Sequence, residues 1–245
     1  MRRSTSLLPR MQRRTFLNSI SALGLGVAAH EITRSFPNKQ ATAVVQGNKL
    51  TPPATGPISV AFAVSRGTTW IDWVGPQAVF ESWHFDPVLK KHVPRFNPFT
   101  VSEKLELVDS LMPDYTFETA PPARIVVVPA QSGSAALLDW LRKVSETADV
   151  TMSVCIGARH LAKAGLLNGK SATTHHKSID QFAQDFPEVK WVRGVRFVEG
   201  PKISTGGGLT AGIDLALRVT ERYFGREEAQ KVADHLEHQS KGWIV

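Results

Sequence analysis

One junction constrains the fold of this chain more than any other feature. An apolar β-type run at residues 149–154 meets a helix-like run at residues 158–164, and Cys155, the only cysteine, stands between them. A nucleophile on a sharp strand-to-helix turn is exposed at the carboxyl edge of a sheet, where the first N–H groups of the helix favour negative charge. Gly157 fits such a turn because a Cβ would crowd the preceding strand. The junction predicts a nucleophile with a lowered thiol pKa; an inert, buried thiol is the alternative.

The residues around the junction add a resemblance. Residues 153–175 resemble the nucleophile segment of the ThiJ/PfpI family, and most of all its isonitrile hydratase-like branch. Three further motifs agree in order: I-D-W-V-G-P at 71–76, I-V-V-V-P at 125–129, and T-G-G-G-L-T-A-G-I-D-L-A-L at 205–217. The resemblance implies an α/β three-layer sandwich with a mostly parallel, doubly wound sheet, which is flavodoxin-like and class I glutamine-amidotransferase-like. It covers residues 58–238.

The first 43 residues are interpreted as a twin-arginine signal peptide. Residues 1–20 contain five arginines and no acid, and Arg13-Arg14 precedes a short apolar run at residues 20–29. This run is shorter than the roughly 20 residues of a membrane span, so no permanent anchor is expected. Residues 41–43 offer an A-x-A cleavage site. The prediction is periplasmic localisation through the twin-arginine export machinery; a basic, disordered tail is the alternative.

The charge distribution bears on the choice of partners. Residues 1–43 hold seven arginines or lysines and one acid, so they carry +6 of the formal +7. The remaining chain is nearly neutral, and we expect no nucleic acid partner. One cysteine allows no internal disulfide. After the last predicted helix, at 227–238, we expect no helix-turn-helix module of the kind that follows such domains in some regulators.

The rest of the chain suits one α/β domain at residues 58–245, preceded by a proline- and glycine-containing linker at 44–57. Continuous apolar runs predict buried strands at 58–64 and 124–128. A helix is expected from Asp72 to Trp83, a hairpin around 199–202 and a helix at 209–224. Within residues 85–115, the run at 105–108 is interpreted as a strand, with loops at prolines 87, 94, 98 and 113.

Asp72 and His175 are candidates to act with Cys155. From its position alone, Asp72 is a candidate helix cap, since Asp followed by Pro is a common helix start. The resemblance implies instead that Asp72 faces the nucleophile and that His175, in its T-T-H setting, lies near it. His175 and His176 at a strand end should point to opposite faces, which makes a poor metal site and leaves His176 exposed.

Several positions depart from the family pattern. Ala130 and Gln131 stand where the family has two glycines whose N–H groups help to stabilise a negative charge, and Ile156 stands where the hydratase branch has threonine. The backbone N–H groups of all three remain candidate donors. The glycine run at 206–208 precedes a helix but lacks a nucleotide-binding motif. The resemblance implies that Gly207 and Gly208 pack close to the elbow, beside the substrate pocket.

The resemblance implies the hydration of an isonitrile to an N-substituted formamide, without a cofactor. Cys155 would attack the terminal carbon, and Asp72 would assist protonation and activate water. The two groups should titrate as a pair that shares about one proton. The resemblance also implies a small-molecule substrate and a symmetric homodimer. A PfpI-type amidase or peptidase, a glyoxalase or deglycase, and a non-enzymatic thiol sensor remain open alternatives.

Overall fold

The computed structural model describes residues 47–86 and 90–245, with the backbone path alone at residues 83–86. The predicted signal peptide, residues 1–43, lies outside the described residues. So does the start of the predicted linker, residues 44–46.

The domain is built from short strands and helices. The strands are β1 (Ile58–Ala63), β2 (Trp83–Asp86), β3 (Lys91–Pro94), β4 (Phe96–Ser102), β5 (Tyr115–Thr116), β6 (Ile125–Val128), β7 (Val150–Ser153), β8 (Ser171–Ala172), β9 (Lys190–Trp191), β10 (Phe197–Val198) and β11 (Ile203–Gly206). The helices are α1 (Trp70–Phe80), α2 (Ala135–Thr147), α3 (Ala158–Lys163), α4 (Ile179–Asp185), α5 (Ala211–Phe224) and α6 (Arg226–His235). Two 3₁₀ turns lie at Cys155–Gly157 and His176–Ser178.

The central sheet has seven strands in the order β10-β11-β7-β6-β1-β4-β5, and every pairing is parallel except β10 with β11. Successive side chains of a strand point to opposite faces. Accordingly, Val60 and Phe62 of β1 pack in one core cluster with α1, α5 and α6, and Ala61 and Ala63 pack in a second cluster with α2 and α3. Two helical layers therefore cover the sheet, which confirms the predicted three-layer sandwich.

The sheet order explains where the site forms. From β1 the chain runs to β4 and β5 on one side, and it then returns to β6 on the other side of β1. In open α/β sheets, ligands bind at the carboxyl ends of strands near such a reversal. The segments that follow β1, β6 and β7 all begin at this edge, so Asp72, Ala130 and Cys155 can meet there.

The segment at residues 85–115 differs from its prediction. Residues 105–108 form no strand, and Val108 and Leu111 make only an isolated bridge. The segment contains β3, which ends at Pro94, and β4, which contains Pro98. Proline lacks an N–H and is tolerated on a strand edge that faces no partner. Since β5 pairs only with Val101 and Ser102 of β4, Pro98 lies on an unpaired stretch of that edge.

Most other predicted elements are present. The hairpin around 199–202 joins β10 and β11, and the predicted helix at 209–224 is α5, which ends at Gly225 with a φ of +89°. Within the predicted linker, residues 47–50 make contacts with the domain. The Gly47 N–H donates to Glu199 Oε1 at 2.8 Å, and the Leu50 N–H donates to the Arg222 carbonyl at 2.8 Å. These residues are therefore bound to the domain surface.

None of the helices in the described part of the chain combines the length and the apolar character that a membrane span requires.

Candidate active site

Cys155 lies on a strained turn directly after β7. Its φ is +56°, a left-handed conformation that residues other than glycine rarely adopt. Its N–H donates to the Gly207 carbonyl at 2.7 Å, which fixes the turn against the segment after β11. A Cβ added at Gly157 would lie 2.2 Å from the Val128 carbonyl oxygen. The elbow therefore requires glycine as predicted, although the crowding comes from the end of β6 and not from the preceding strand.

Asp72 is the third residue of α1 and does not cap it. The residue before the helix is Thr69, whose carbonyl accepts the Asp72 N–H at 3.0 Å. The carboxylate is fully buried, and its Oδ2 accepts the Ala130 N–H at 3.2 Å. Its other oxygen, Oδ1, has no hydrogen-bonding partner among the described residues. The helix-cap interpretation is therefore wrong, and the carboxylate lies within hydrogen-bonding reach of the Cys155 thiol.

Burial is the largest cause of the pKa shifts of Asp72 and Cys155. It raises the pKa of Asp72 to about 6, against smaller opposing effects of the Ala130 N–H and the thiol. Burial, and then the negative charge of Asp72, raise the pKa of Cys155 to about 11. The prediction of a lowered thiol pKa is therefore wrong for the resting protein. Between these two pKa values the pair holds one proton, on sulfur, in agreement with the predicted sharing.

The raised pKa of Asp72 has a consequence for stability. An acid that is weaker in the folded protein contributes stability that is present below its ordinary pKa of 3.8 and is lost as pH rises through about 6. Asp72→Asn should therefore raise the free energy of unfolding at pH 7 by up to about 3 kcal/mol, and by little at pH 4. Urea unfolding at both values tests this expectation. Asp180→Asn is the control, since that side chain is 78% exposed and water screens its charge.

The backbone donors near the sulfur differ in part from the predicted set. The Ala130 N–H is engaged by Asp72, so it holds the acid and does not serve as an oxyanion donor. The Gln131 side chain donates through Nε2 to the Ala63 carbonyl at 2.8 Å, while its backbone N–H role stays a prediction. Two backbone N–H groups, of Ile156 and Leu209, donate to the Cys155 sulfur and lower its pKa.

Leu209 was missed by the sequence analysis. It has a φ of +49°, and its side chain is largely exposed. Leu209 acts through a backbone group, so the residue type carries no chemical signal. The one signal in the sequence was its position directly after the glycine run, a segment that the resemblance implied to lie close to the elbow.

A cavity of about 350 Å³ lies next to residues that bind the elbow, although neither Cys155 nor Asp72 is among its lining residues. It is lined by residues 173–176, 179, 194–196 and 207–211. Two of the lining residues bind the Cys155 backbone: Gly207 through its carbonyl, and Thr174 through a hydroxyl that donates to the Cys155 carbonyl at 2.8 Å. A Cβ at Gly208 would lie 2.6 Å from Cδ2 of His175. Gly207 and Gly208 therefore form one wall of this cavity, where the sequence analysis expected a pocket.

His175 forms part of the same wall. Its Nδ1 accepts the Lys177 N–H at 3.4 Å, and burial lowers its pKa. The prediction that His175 and His176 point to opposite faces is wrong, because their ring centroids are 4.4 Å apart. The reason is that β8 ends at Ala172, so both histidines lie beyond the strand. His176 is exposed, as expected.

A second, larger cavity does not contain the elbow. It measures about 460 Å³ and lies between residues 65–66, 102–109 and 132–134. No group of three or more histidine, cysteine or acidic side chains in the described part of the chain is arranged to hold a metal ion.

The sequence matches the model of the DJ-1/PfpI family over residues 59–222. The chain belongs to the DJ-1/PfpI family. One curated relative that is matched over most of its length is isonitrile hydratase of Pseudomonas putida. It is 33% identical over 190 residues, which cover 74% of this chain and 78% of that protein. The transcriptional regulator CdhR of Pseudomonas aeruginosa is 34% identical over 108 residues, which cover 44% of this chain and 32% of the regulator.

Solved structures agree with this family assignment. A ThiJ/PfpI family protein from Pseudomonas syringae superposes with a TM-score of 0.65 at 26% identity, and covers 76% of this chain and 77% of its own. Drosophila melanogaster DJ-1beta superposes with a TM-score of 0.61 at 20% identity, and covers 74% of this chain and 98% of its own. The second likeness concerns the fold alone.

Proposed function

We propose that the chain is a cysteine-dependent enzyme that hydrates an isonitrile to an N-substituted formamide. The observation that carries the proposal is the thiol–carboxylate pair of Cys155 and Asp72 at a strained elbow beside a cavity of about 350 Å³. The likeness to an isonitrile hydratase over most of both chains supports this choice among the reactions open to a thiol. No cofactor enters the reaction.

In the first step Asp72 accepts the thiol proton while sulfur attacks the terminal carbon of R–N≡C. A C–S bond forms and the carbon receives that proton, which gives a thioimidate, R–N=CH–S–Cys155. The raised thiol pKa suits this sequence, because the proton leaves only as the nucleophile attacks. The N–H groups of Ile156 and Leu209 stabilise charge on the sulfur.

In the second step Asp72 accepts a proton from water, and the hydroxyl adds to the thioimidate carbon. The C–S bond then breaks, sulfur recovers a proton, and nitrogen gains one. The products are R–NH–CHO and the free thiol, so one water is consumed and nothing is oxidised or reduced.

The cavity bears on the substituent R. Its charged lining residue, Arg196, pairs with Asp214 at 2.5 Å, and Ile179, Val195 and Leu209 contribute apolar surface. A compact, uncharged aliphatic or aromatic substituent fits this lining best.

A screen of the purified domain with neutral isonitriles, amides and methylglyoxal tests the proposal. We expect formamide formation from an isonitrile, followed by chromatography or by loss of the isonitrile infrared band. Turnover of an amide or of methylglyoxal instead would assign an amidase or a glyoxalase. A partial likeness to a transcriptional regulator favours a second candidate, a binding domain that senses small molecules through Cys155; turnover of none of the substrates would favour it.

We also propose export to the periplasm and a symmetric homodimer. Arg13-Arg14 and the short apolar run support export, and replacement of both arginines by lysine should leave precursor in the cytoplasm. The exposed α1 residues Trp70 and Val74, 51% and 38% exposed, offer an apolar face for a second copy. A monomeric mass by light scattering would refute the dimer, and normal export of the lysine variant would refute the twin-arginine route.

A further inference from the structure

The turn at residues 207–210 holds Cys155 in two ways. The Gly207 carbonyl accepts the Cys155 N–H at 2.7 Å, and the Leu209 N–H reaches the sulfur. Leu209 adopts a φ of +49°, a strained conformation that persists only where the surroundings impose it. The position of the Leu209 N–H therefore depends on whatever anchors this turn.

Arg196 contacts the turn at both of its ends. Its carbonyl accepts the Gly207 N–H at 2.8 Å, and its Nη2 donates to Thr210 Oγ1 at 3.2 Å. The Thr210 side chain does not cap α5, so its hydroxyl is available to the guanidinium. The strained residue thus lies between two points that are fixed by one arginine.

Asp214 in turn fixes Arg196. Its Oδ2 accepts Nε of Arg196 at 2.5 Å, and the carboxylate is fully buried in the first turn of α5. The segment after α6 completes the contact: His238 Nε2 lies 2.8 Å from Oδ1 and Ser240 Oγ lies 3.2 Å from Oδ2. A buried carboxylate with partners on both oxygens holds the guanidinium in one orientation.

We infer that Arg196 and Asp214 are positioning residues that place the Leu209 N–H against the Cys155 sulfur. They act through the turn and do not touch the thiol. The effect on turnover rests on the proposed function, whereas the effect on thiol reactivity does not.

The test measures Cys155 alkylation as a function of pH, together with kcat on an isonitrile, in Arg196→Gln. Loss of a well-placed N–H donor should move the alkylation profile to higher pH, slow alkylation at pH 9 about threefold to tenfold, and lower kcat about tenfold. Arg196→Lys should recover only part of either rate, since an ammonium lacks the planar fork that binds Asp214 and Thr210 together.

Arg95→Gln is the matched control. Arg95 pairs with Glu228 at 2.6 Å and is 19% exposed, against 22% for Arg196, but it lies at the amino end of β4, away from the elbow. We expect it to leave both rates unchanged. Equal alkylation profiles for Arg196→Gln and wild type would overturn the inference.

If Arg196→Gln does not fold, Thr210→Val decides the question. This change removes the contact of the guanidinium with the turn and keeps the buried ion pair. A smaller shift of the alkylation profile in the same direction is expected, and no shift would overturn the inference. Wild type without any isonitrile turnover would refute the proposed function alone, because the alkylation comparison would still stand.

Discussion

The Asp72→Asn variant should lose about 10²–10⁴-fold in isonitrile turnover while its thiol becomes more reactive toward a small alkylating reagent. Turnover falls because an amide can neither take the thiol proton nor activate water. Reactivity rises because the charge of Asp72 is one of the causes that raise the pKa of Cys155. Burial, the larger cause, remains, so the pKa of the thiol should fall only part of the way toward its ordinary value.

The pH dependence of alkylation distinguishes loss of the acid from structural damage. A variant with a disordered elbow would also lose turnover and gain reactivity, but its thiol would titrate near the ordinary cysteine pKa, whereas an ordered elbow keeps the burial that raises that pKa. Single-turnover assays and alkylation at pH 7 to 10, both on wild type and variant, provide the comparison. Asp180→Asn, with its exposed carboxylate, should behave like wild type in both assays. Undiminished turnover in Asp72→Asn would refute the proposed acid–base role of Asp72.

The Cys155→Ala variant should lose turnover completely, by at least about 10⁴-fold, since the thioimidate cannot form. Alanine retains the Asp72 carboxylate and the cavity, so substrate binding should survive and is measurable as protection against thermal unfolding. Mass spectrometry of wild type after rapid quenching should show Cys155 carrying one substrate. Turnover by Cys155→Ala near the wild-type rate would mean that Asp72 activates water directly, without a covalent step.

The buried strands and the elbow were predictable because their signals are local, whereas the three-layer arrangement came from the family resemblance. Continuous apolar runs predicted the buried strands, and Gly157 predicted the tight elbow, whose reason is a carbonyl 2.2 Å from the missing Cβ. The pairing of Asp72 with Cys155 came from the resemblance, since spacing alone favoured a helix cap. Strand β4 was not predicted because it contains Pro98. Proline is tolerated at a strand edge without a partner, and the sequence does not show which edge that is.

The electrostatics of the site were less predictable. The helix-dipole argument gave the wrong direction for the thiol pKa, because it omitted the burial of Cys155, which is 7% exposed. The Ala130 N–H was expected to stabilise substrate charge, and it binds Asp72 instead. Arg196 and Leu209 act through backbone groups and distant partners, and a linear pattern of residue types does not contain that information.

Because Cys155 is buried and is the sole cysteine, the rate at which it is labelled reports on motion of the elbow. Cys155 is buried, with 7% of the residue exposed, so a bulky maleimide has to wait for a local opening, and we expect a compact reagent to depend less on that opening. The ratio of the two labelling rates therefore measures how often the elbow opens, without the introduction of a foreign label. Substrate in the neighbouring cavity should slow the bulky reagent more than the compact one.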